Sequence, residues 1–304
     1  MATPNLGRVV FWMTGALLSF SLTAVSIRGL AGTLNVFEIL SIRSGFGLLV
    51  MVSLIVVQPS LRKELALVRM GMHIWRNSSH FVGQYFWAWA VTLLPLATVF
   101  ALEFTMPMWL AILAVPMLGE RMTPSRIGSI VFGLIGVMII VRPGLGGFQP
   151  AALLVLFAAF AFALSLIATK QLTANVSTFA IIFWMNLLQL PMAMAGSDPL
   201  FLLRLGESTW LPALGLGIAG ITSHYCLTNA FRWGDASVVV PLDFLRIPLI
   251  ALVGWLFYGE GLDILVFVGA AFIIGGVLWN LRAESRRPAT VVAAATEKAH
   301  SADA

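Results

Sequence analysis

Of 304 residues, 60% are hydrophobic and 10% are charged, with a mean hydropathy of +0.96, whereas soluble domains carry about 25% charged residues. No soluble core needs that much apolar surface, so a water-soluble enzyme is excluded. The net charge of +5 would suit a polyanion only if the cations clustered on a polar surface; here they separate apolar runs, which excludes nucleic acid and points to membrane orientation. Cys226 is the only cysteine, so neither an internal disulfide nor a multi-cysteine metal site can form.

A membrane-crossing helix takes about 20 mostly apolar residues. In chain order, such runs are predicted at Val9–Ile27, Val36–Val57, His73–Leu94, Ala97–Met117, Ser125–Val141, Pro150–Thr169, Ser177–Ala195, Trp210–Phe231, Ala236–Tyr258 and Leu262–Leu281. The first follows Arg8 as a signal peptide's apolar segment would. It is long, however, and ends at Arg28 without a small-residue cleavage pattern, so its retention is expected. Turn-forming residues mark the breaks: Gln58-Pro59-Ser60, Leu94-Pro95, Thr123-Pro124, Arg142-Pro143-Gly144, Gly196-Ser197-Asp198-Pro199 and Gly234-Asp235. From Ala283 the chain is Ala-rich and polar with no apolar period, and disorder is expected there.

Counting Lys and Arg on alternate sides sets the orientation. With the N-terminus inside, thirteen fall on the inner side (Arg8, Arg62, Lys63, Arg69, Arg76, Arg121, Arg126, Lys170, Arg232, Arg282, Arg286, Arg287, Lys298) and three on the outer (Arg28, Arg142, Arg204). Both termini are therefore expected in the cytoplasm.

A shift of 140 residues superposes Tyr85 on Tyr225, Phe104 on Phe244, Gly119-Glu120 on Gly259-Glu260, Phe132 on Phe272, Gly136-Val137 on Gly276-Val277 and Arg142 on Arg282. Glu103 lands on Asp243, so an acid recurs within each half, and Arg28-Gly29-Leu30 matches Lys170-Gln171-Leu172 at a shift of 142. Five spans per half is an odd number, so consecutive copies insert with opposite topology, the inverted-repeat plan of many secondary transporters. The predicted fold is an all-α membrane protein of ten helices in two inverted five-helix repeats. Residues 1–8 form a cytoplasmic N-terminus, 9–141 and 150–282 the repeats, and 283–304 a disordered cytoplasmic tail.

An ionisable side chain at the bilayer centre costs about 2.5 to 3.5 kcal/mol on insertion scales, so each must face a partner or a cavity. Arg43, His80, Glu103, His224, Asp243 and Arg246 are the candidates. Asp243 and Arg246 are three apart on one helix face, a spacing that fits a structural salt bridge or a pair opened by substrate. Arg43 and Glu103 could form the analogous pair across two helices. His80, Gln84 and Trp87 share one stripe of the third span, and His224 and Thr228 a comparable stripe of the eighth. These residues either join helices or line a central cavity. Within the spans, cations and histidines outnumber acids, which favours a carboxylate-bearing substrate over a simple cation. Motifs for ATP hydrolysis, zinc proteolysis and serine hydrolysis are absent.

Leu93-Leu94-Pro95-Leu96-Ala97-Thr98, Leu118-Gly119-Glu120-Arg121 and Val141-Arg142-Pro143-Gly144, followed by Tyr225 to Asp235, Pro241-Leu242-Asp243-Phe244 and Gly259-Glu260, resemble the drug/metabolite transporter superfamily, specifically its EamA-like ten-helix transporters. Arg28-Gly29-Leu30 with Glu38 and Arg43 resembles that family's first two helices, and the likeness runs from Phe11 to Arg282. The resemblance implies a secondary carrier of the bacterial inner membrane, commonly an exporter of amino acids or related metabolites such as opine-type metallophores. Some relatives instead import compounds such as S-adenosylmethionine or riboflavin, and an intramembrane enzyme is the alternative of another class. Expected substrate contacts are Arg43, His80, Gln84, Trp87, Glu103, His224, Thr228, Asp243 and Arg246, with Glu103 and Asp243 as proton-coupling candidates. No metal or cofactor is expected. The expected partners are a small-molecule substrate and the lipid bilayer, with a homodimer left open.

Overall fold

A computed structural model describes residues 6–65, 67–119, 122–142, 149–173, 175–233, 239 and 242–285. Its helices are α1 (Leu6–Leu30), α2 (Val36–Val57), α3 (Met70–Leu93), α4 (Leu96–Glu103), α5 (Met106–Leu118), α6 (Pro124–Val141), α7 (Ala152–Leu172), α8 (Thr178–Met194), α9 (Trp210–Trp233), α10 (Arg246–Tyr258) and α11 (Ile264–Ser285). No strand occurs among the described residues. Of the features read from sequence, Glu120, Arg121, Pro143, Gly144, Gly234, Asp235, Ala236, Pro241 and the tail beyond residue 285 lie outside the described residues.

Among the described residues, six helices are long and apolar enough to cross a membrane by length and composition, with Leu96–Met117 taken as one. Large apolar side chains such as Leu49 (63% exposed) and Phe257 (73% exposed) point out of the bundle; water would penalise that surface, and hydrocarbon does not. The chain is an all-α, multi-pass membrane protein.

Helix packing displays the duplication. α6 and α11 correspond at a shift of 140, and they pack on each other. A Cβ on Gly136 would meet Gly269 and Ile273, one on Gly276 would meet Ser129 and Phe132, and one on Gly128 would meet Trp279. As one helix ascends the other descends, so the equivalent helices run antiparallel. α2 and α8 pair likewise, Gly47 against Asn186 and Ser41 against Ser197. The remaining pairs exchange under the same operation: α1 lies on α9 and α3 on α7. Phe104 and Phe244 meet edge to face with centroids 4.9 Å apart, and Phe132 and Phe272 lie 6.0 Å apart. Equivalent residues touch each other only near a two-fold axis, so the halves are inverted copies. Small residues let these backbones approach, the usual packing device where lipid supplies no hydrophobic drive.

Two runs predicted as continuous spans are interrupted. The fourth divides into α4 and α5 around Phe104 and Thr105, and the ninth turns at Phe244 and Leu245 before α10. Pro107 lacks the N–H that the Glu103 carbonyl would receive, and Pro248 fails the Phe244 carbonyl in the same way. Thr105 seals the first break, its hydroxyl donating to the Leu102 carbonyl at 2.7 Å. The ten-crossing plan thus includes two discontinuous helices at equivalent places, a feature that transporters of this architecture use to build sites at mid-membrane.

α1 begins and α11 ends at one end of the bundle, here the termini face. At the opposite, far face, Arg28 donates to the Glu260 carboxylate and to the Leu94 and Val91 carbonyls. Glu260 also accepts from the Leu96 amide at 2.9 Å, capping α4, and Gly259, at φ +63°, turns the chain to place it there. Arg142 pairs with Asp263 and Arg204 with Glu38. All three arginines assigned to this side from sequence are therefore neutralised by carboxylates.

Candidate functional site

The charged centre grows out of the helix breaks. Glu103 is the last residue of α4, Asp243 lies just before the second break, and Arg246 opens α10. Arg246 donates to Asp243 at 2.5 Å and to Glu103 at 3.4 Å. Trp87 Nε1 donates to the other Glu103 oxygen at 2.8 Å. The guanidinium also lies over the rings of Phe20, Phe104 and Phe100, at 4.0, 5.2 and 5.7 Å from their centroids. One cation thus bridges two acids contributed by opposite halves, inside an aromatic wall that strengthens the attraction by excluding water.

A second group stands across Phe20. His224 packs edge on against Phe20 at 6.3 Å, and Arg43 Nη2 donates to His224 Nε2 at 3.4 Å. The His80 ring is 6.3 Å from that of His224, and Gln189 Nε2 donates to His80 Nδ1 at 3.0 Å. A Cβ on Gly220 would stand 3.1 Å from Arg43, so that glycine makes room for the guanidinium. Among the described residues no carboxylate lies within ion-pair distance of Arg43. The expected Arg43–Glu103 pair does not form, because Arg246 and Trp87 occupy the Glu103 carboxylate.

Seven of the nine residues read from sequence therefore collect into two adjoining groups: Arg43, His80 and His224, and Trp87, Glu103, Asp243 and Arg246. Gln84 is half-buried and Thr228 exposed, and among the described residues no hydrogen bond ties either to these groups. Phe20, Phe100 and Gln189 join the site without a signal in the sequence, since nothing distinguishes them from other apolar or interhelical residues, and Phe104 carries only its match to Phe244. Arg76 did carry a signal. It was assigned to the inner flank, yet it is buried (8% exposed) within α3, four residues before His80 on the same stripe.

Inverted halves, interrupted helices and a buried polar centre between them define a membrane transporter of the secondary-carrier architecture. The chain belongs to the EamA-like transporter family, whose model matches twice, over residues 7–142 and 149–282. It is 33% identical over 234 residues to a riboflavin transporter of Rhizobium johnstonii, spanning 74% of this chain and 76% of the relative. A Rickettsia felis S-adenosylmethionine uptake transporter is 26% identical over 275 residues, 90% of this chain and 92% of the relative. The pseudopaline exporter CntI of Pseudomonas aeruginosa is 26% identical over 266 residues, 85% and 90% of the two chains. One crystal structure matches with TM-score 0.61 over 93% of this chain and 98% of the other, at 18% identity, and supports the fold alone.

Proposed function

We propose that this protein is a secondary transporter that exports a small amino-acid-derived or carboxylated metabolite across the bacterial inner membrane. Both termini, including residues 1–8 and 283–304, lie in the cytoplasm, and the repeats 9–141 and 150–282 move against each other to open the centre to alternate sides. The observation that carries the reading is Arg43, a buried arginine in a membrane helix whose hydrogen-bond partner among the described residues is the imidazole of His224, not an acid. Holding a cation there without a counter-ion is costly, and a substrate carboxylate supplies one, with His224 and the His80–Gln189 pair placed to orient it. Protonation of Glu103 or Asp243 is the proposed coupling step, since each proton removes one of the two attractions that hold Arg246. Export agrees in direction with the name of the Pseudomonas relative, a pseudopaline exporter.

Uptake is the second reading, favoured by the names of the Rickettsia relatives. Riboflavin would use the aromatic wall of Phe20, Phe100 and Phe104 and leave Arg43 without an anion. Untargeted metabolomics of cells and medium, for wild type, gene deletion and Arg43→Gln, separates these. Export of a carboxylated metabolite predicts its accumulation inside both mutant strains. Loss of a metabolite from deleted cells, with its build-up in the medium, would establish uptake. Vesicles in which an unchanged compound reaches the far side distinguish a carrier from an intramembrane enzyme.

A further inference from the structure

Arg43 is not the only buried arginine lacking an acid. Toward the termini face along α3, Arg76 is 8% exposed, and among the described residues its guanidinium donates to neutral oxygens: Thr169 Oγ1 at 3.2 Å and Asn77 Oδ1 at 2.7 Å. No described carboxylate lies within ion-pair distance of it. Arg76 stands one turn before His80 on the same stripe of α3, and the His80 ring is 6.3 Å from the His224 ring that Arg43 contacts.

The surroundings of Arg76 are short of acceptors. His73, fully buried one turn before it, has no hydrogen-bond partner on either ring nitrogen. The indole N–H of Trp184, whose ring is 6.2 Å from that of His73, is also buried and unpartnered. Asn77 spends its amide on the Trp184 carbonyl at 3.5 Å. Burying a donor without a partner costs about 1 to 3 kcal/mol, and more for a charged group. Two buried arginines without an acid, one of them beside unused donors, leave this part of the bundle short of negative charge.

We propose that the substrate carries two anionic groups, one held by Arg43 and the second by Arg76 with His73 and Trp184 as further donors. This deepens the reading of Arg43 as a carboxylate site and rests on it. The acids Glu103 and Asp243 do not compete for this role, because both are engaged by Arg246. The second anion site lies on the termini-face side of Arg43, so a dianion spans from Arg43 toward that face.

The probes are glutarate and butyrate, which share a carbon chain and differ by one carboxylate, titrated against the purified full chain in nanodiscs. The wild type is expected to bind glutarate at least about tenfold more tightly than butyrate, the usual worth of a charge-assisted hydrogen bond. Arg76→Gln should bring glutarate down to the butyrate affinity and leave butyrate unchanged. Thr169→Val keeps the charge but removes one of its positioning acceptors, and should weaken glutarate alone, by a smaller factor. This variant also guards against misfolding of Arg76→Gln. Equal affinities in the wild type, or variants that weaken both probes by one factor, would overturn the second site while leaving Arg43 untouched. Arg43→Gln is expected to weaken both probes; unchanged binding of both there would instead overturn the carboxylate reading itself.

Discussion

The two charged groups of the centre use the same kinds of side chain and differ in how they are satisfied. Around Arg246, one cation has two carboxylates, three aromatic faces and an indole donor on one of its acids. Around Arg43, the partner is the His224 imidazole, with the Gln189 amide bonded to His80 beyond it and no acid among the described residues. A buried ion with its counter-ions in place holds structure together, whereas one without them is built for a ligand that brings the missing charge. On the function proposed above, the first group would serve assembly and coupling and the second substrate recognition.

The largest expected effect tests the first half of that division. Arg246→Ala leaves Glu103 and Asp243 buried without their cation, and breaking such a pair costs about 3 to 5 kcal/mol. The yield of folded protein and its melting temperature in detergent should both fall sharply. Adding Glu103→Gln and Asp243→Asn to that variant should restore much of the loss, because the uncompensated charge is gone. A folded, fully stable single variant would place Arg246 with the ligand-binding residues instead.

Next in size, Arg43→Gln should leave melting unchanged or raised, since it removes a desolvated cation, while transport falls by about tenfold or more, the scale of one charge-assisted contact. A large drop in stability without a change in transport would merge the two groups into one structural network. Smaller again is Trp87→Phe, which removes the 2.8 Å hydrogen bond to Glu103 but keeps the ring packing. The expected loss is about 0.5 to 1.5 kcal/mol, or somewhat more because the acceptor is charged, read as a lower melting temperature.

The smallest effect on stability lies at the far face. Glu260→Gln keeps an acceptor oxygen, and Arg28 keeps the Val91 and Leu94 carbonyls, so the change should cost little in melting temperature. The same change loosens a tie among α1, α4 and the segment after α10. Cysteines introduced at the crevice shared by Leu94, Pro95 and Tyr258 should therefore react faster with a membrane-impermeant thiol reagent. Unchanged labelling would mean that the ion pair does not hold this face closed.

Much of the fold could be read from the residues because hydrocarbon imposes a simple rule: about 20 apolar residues per crossing, with charge only at the ends. The repeat was legible because it is marked by residues that hydrophobicity does not select, namely the Gly-Glu pairs, the tyrosines and the acids. The breaks in the fourth and ninth spans were not recognised, since an apolar run looks the same whether or not its backbone is continuous. Pro107 and Pro248 carried the only local sign. Pairing was the least legible feature. Arg246 takes both acids because the break brings α4 and α10 together, a distance of 143 positions along the chain from Glu103. The burial of Arg76 was not legible, because a charge near a helix end is ordinarily an interfacial anchor.

The central claim is that Arg43 awaits a negative charge carried by the substrate. Its most direct test is efflux from proteoliposomes loaded with the metabolite that accumulates in deleted cells, comparing wild type with Arg43→Gln at matched amounts of folded protein. The account predicts rapid efflux from wild type, about a tenfold or greater loss in the variant, and no such loss when the substrate's carboxylate is first converted to a neutral amide that is itself a slow substrate. Equal efflux of the native metabolite from both proteins would contradict it.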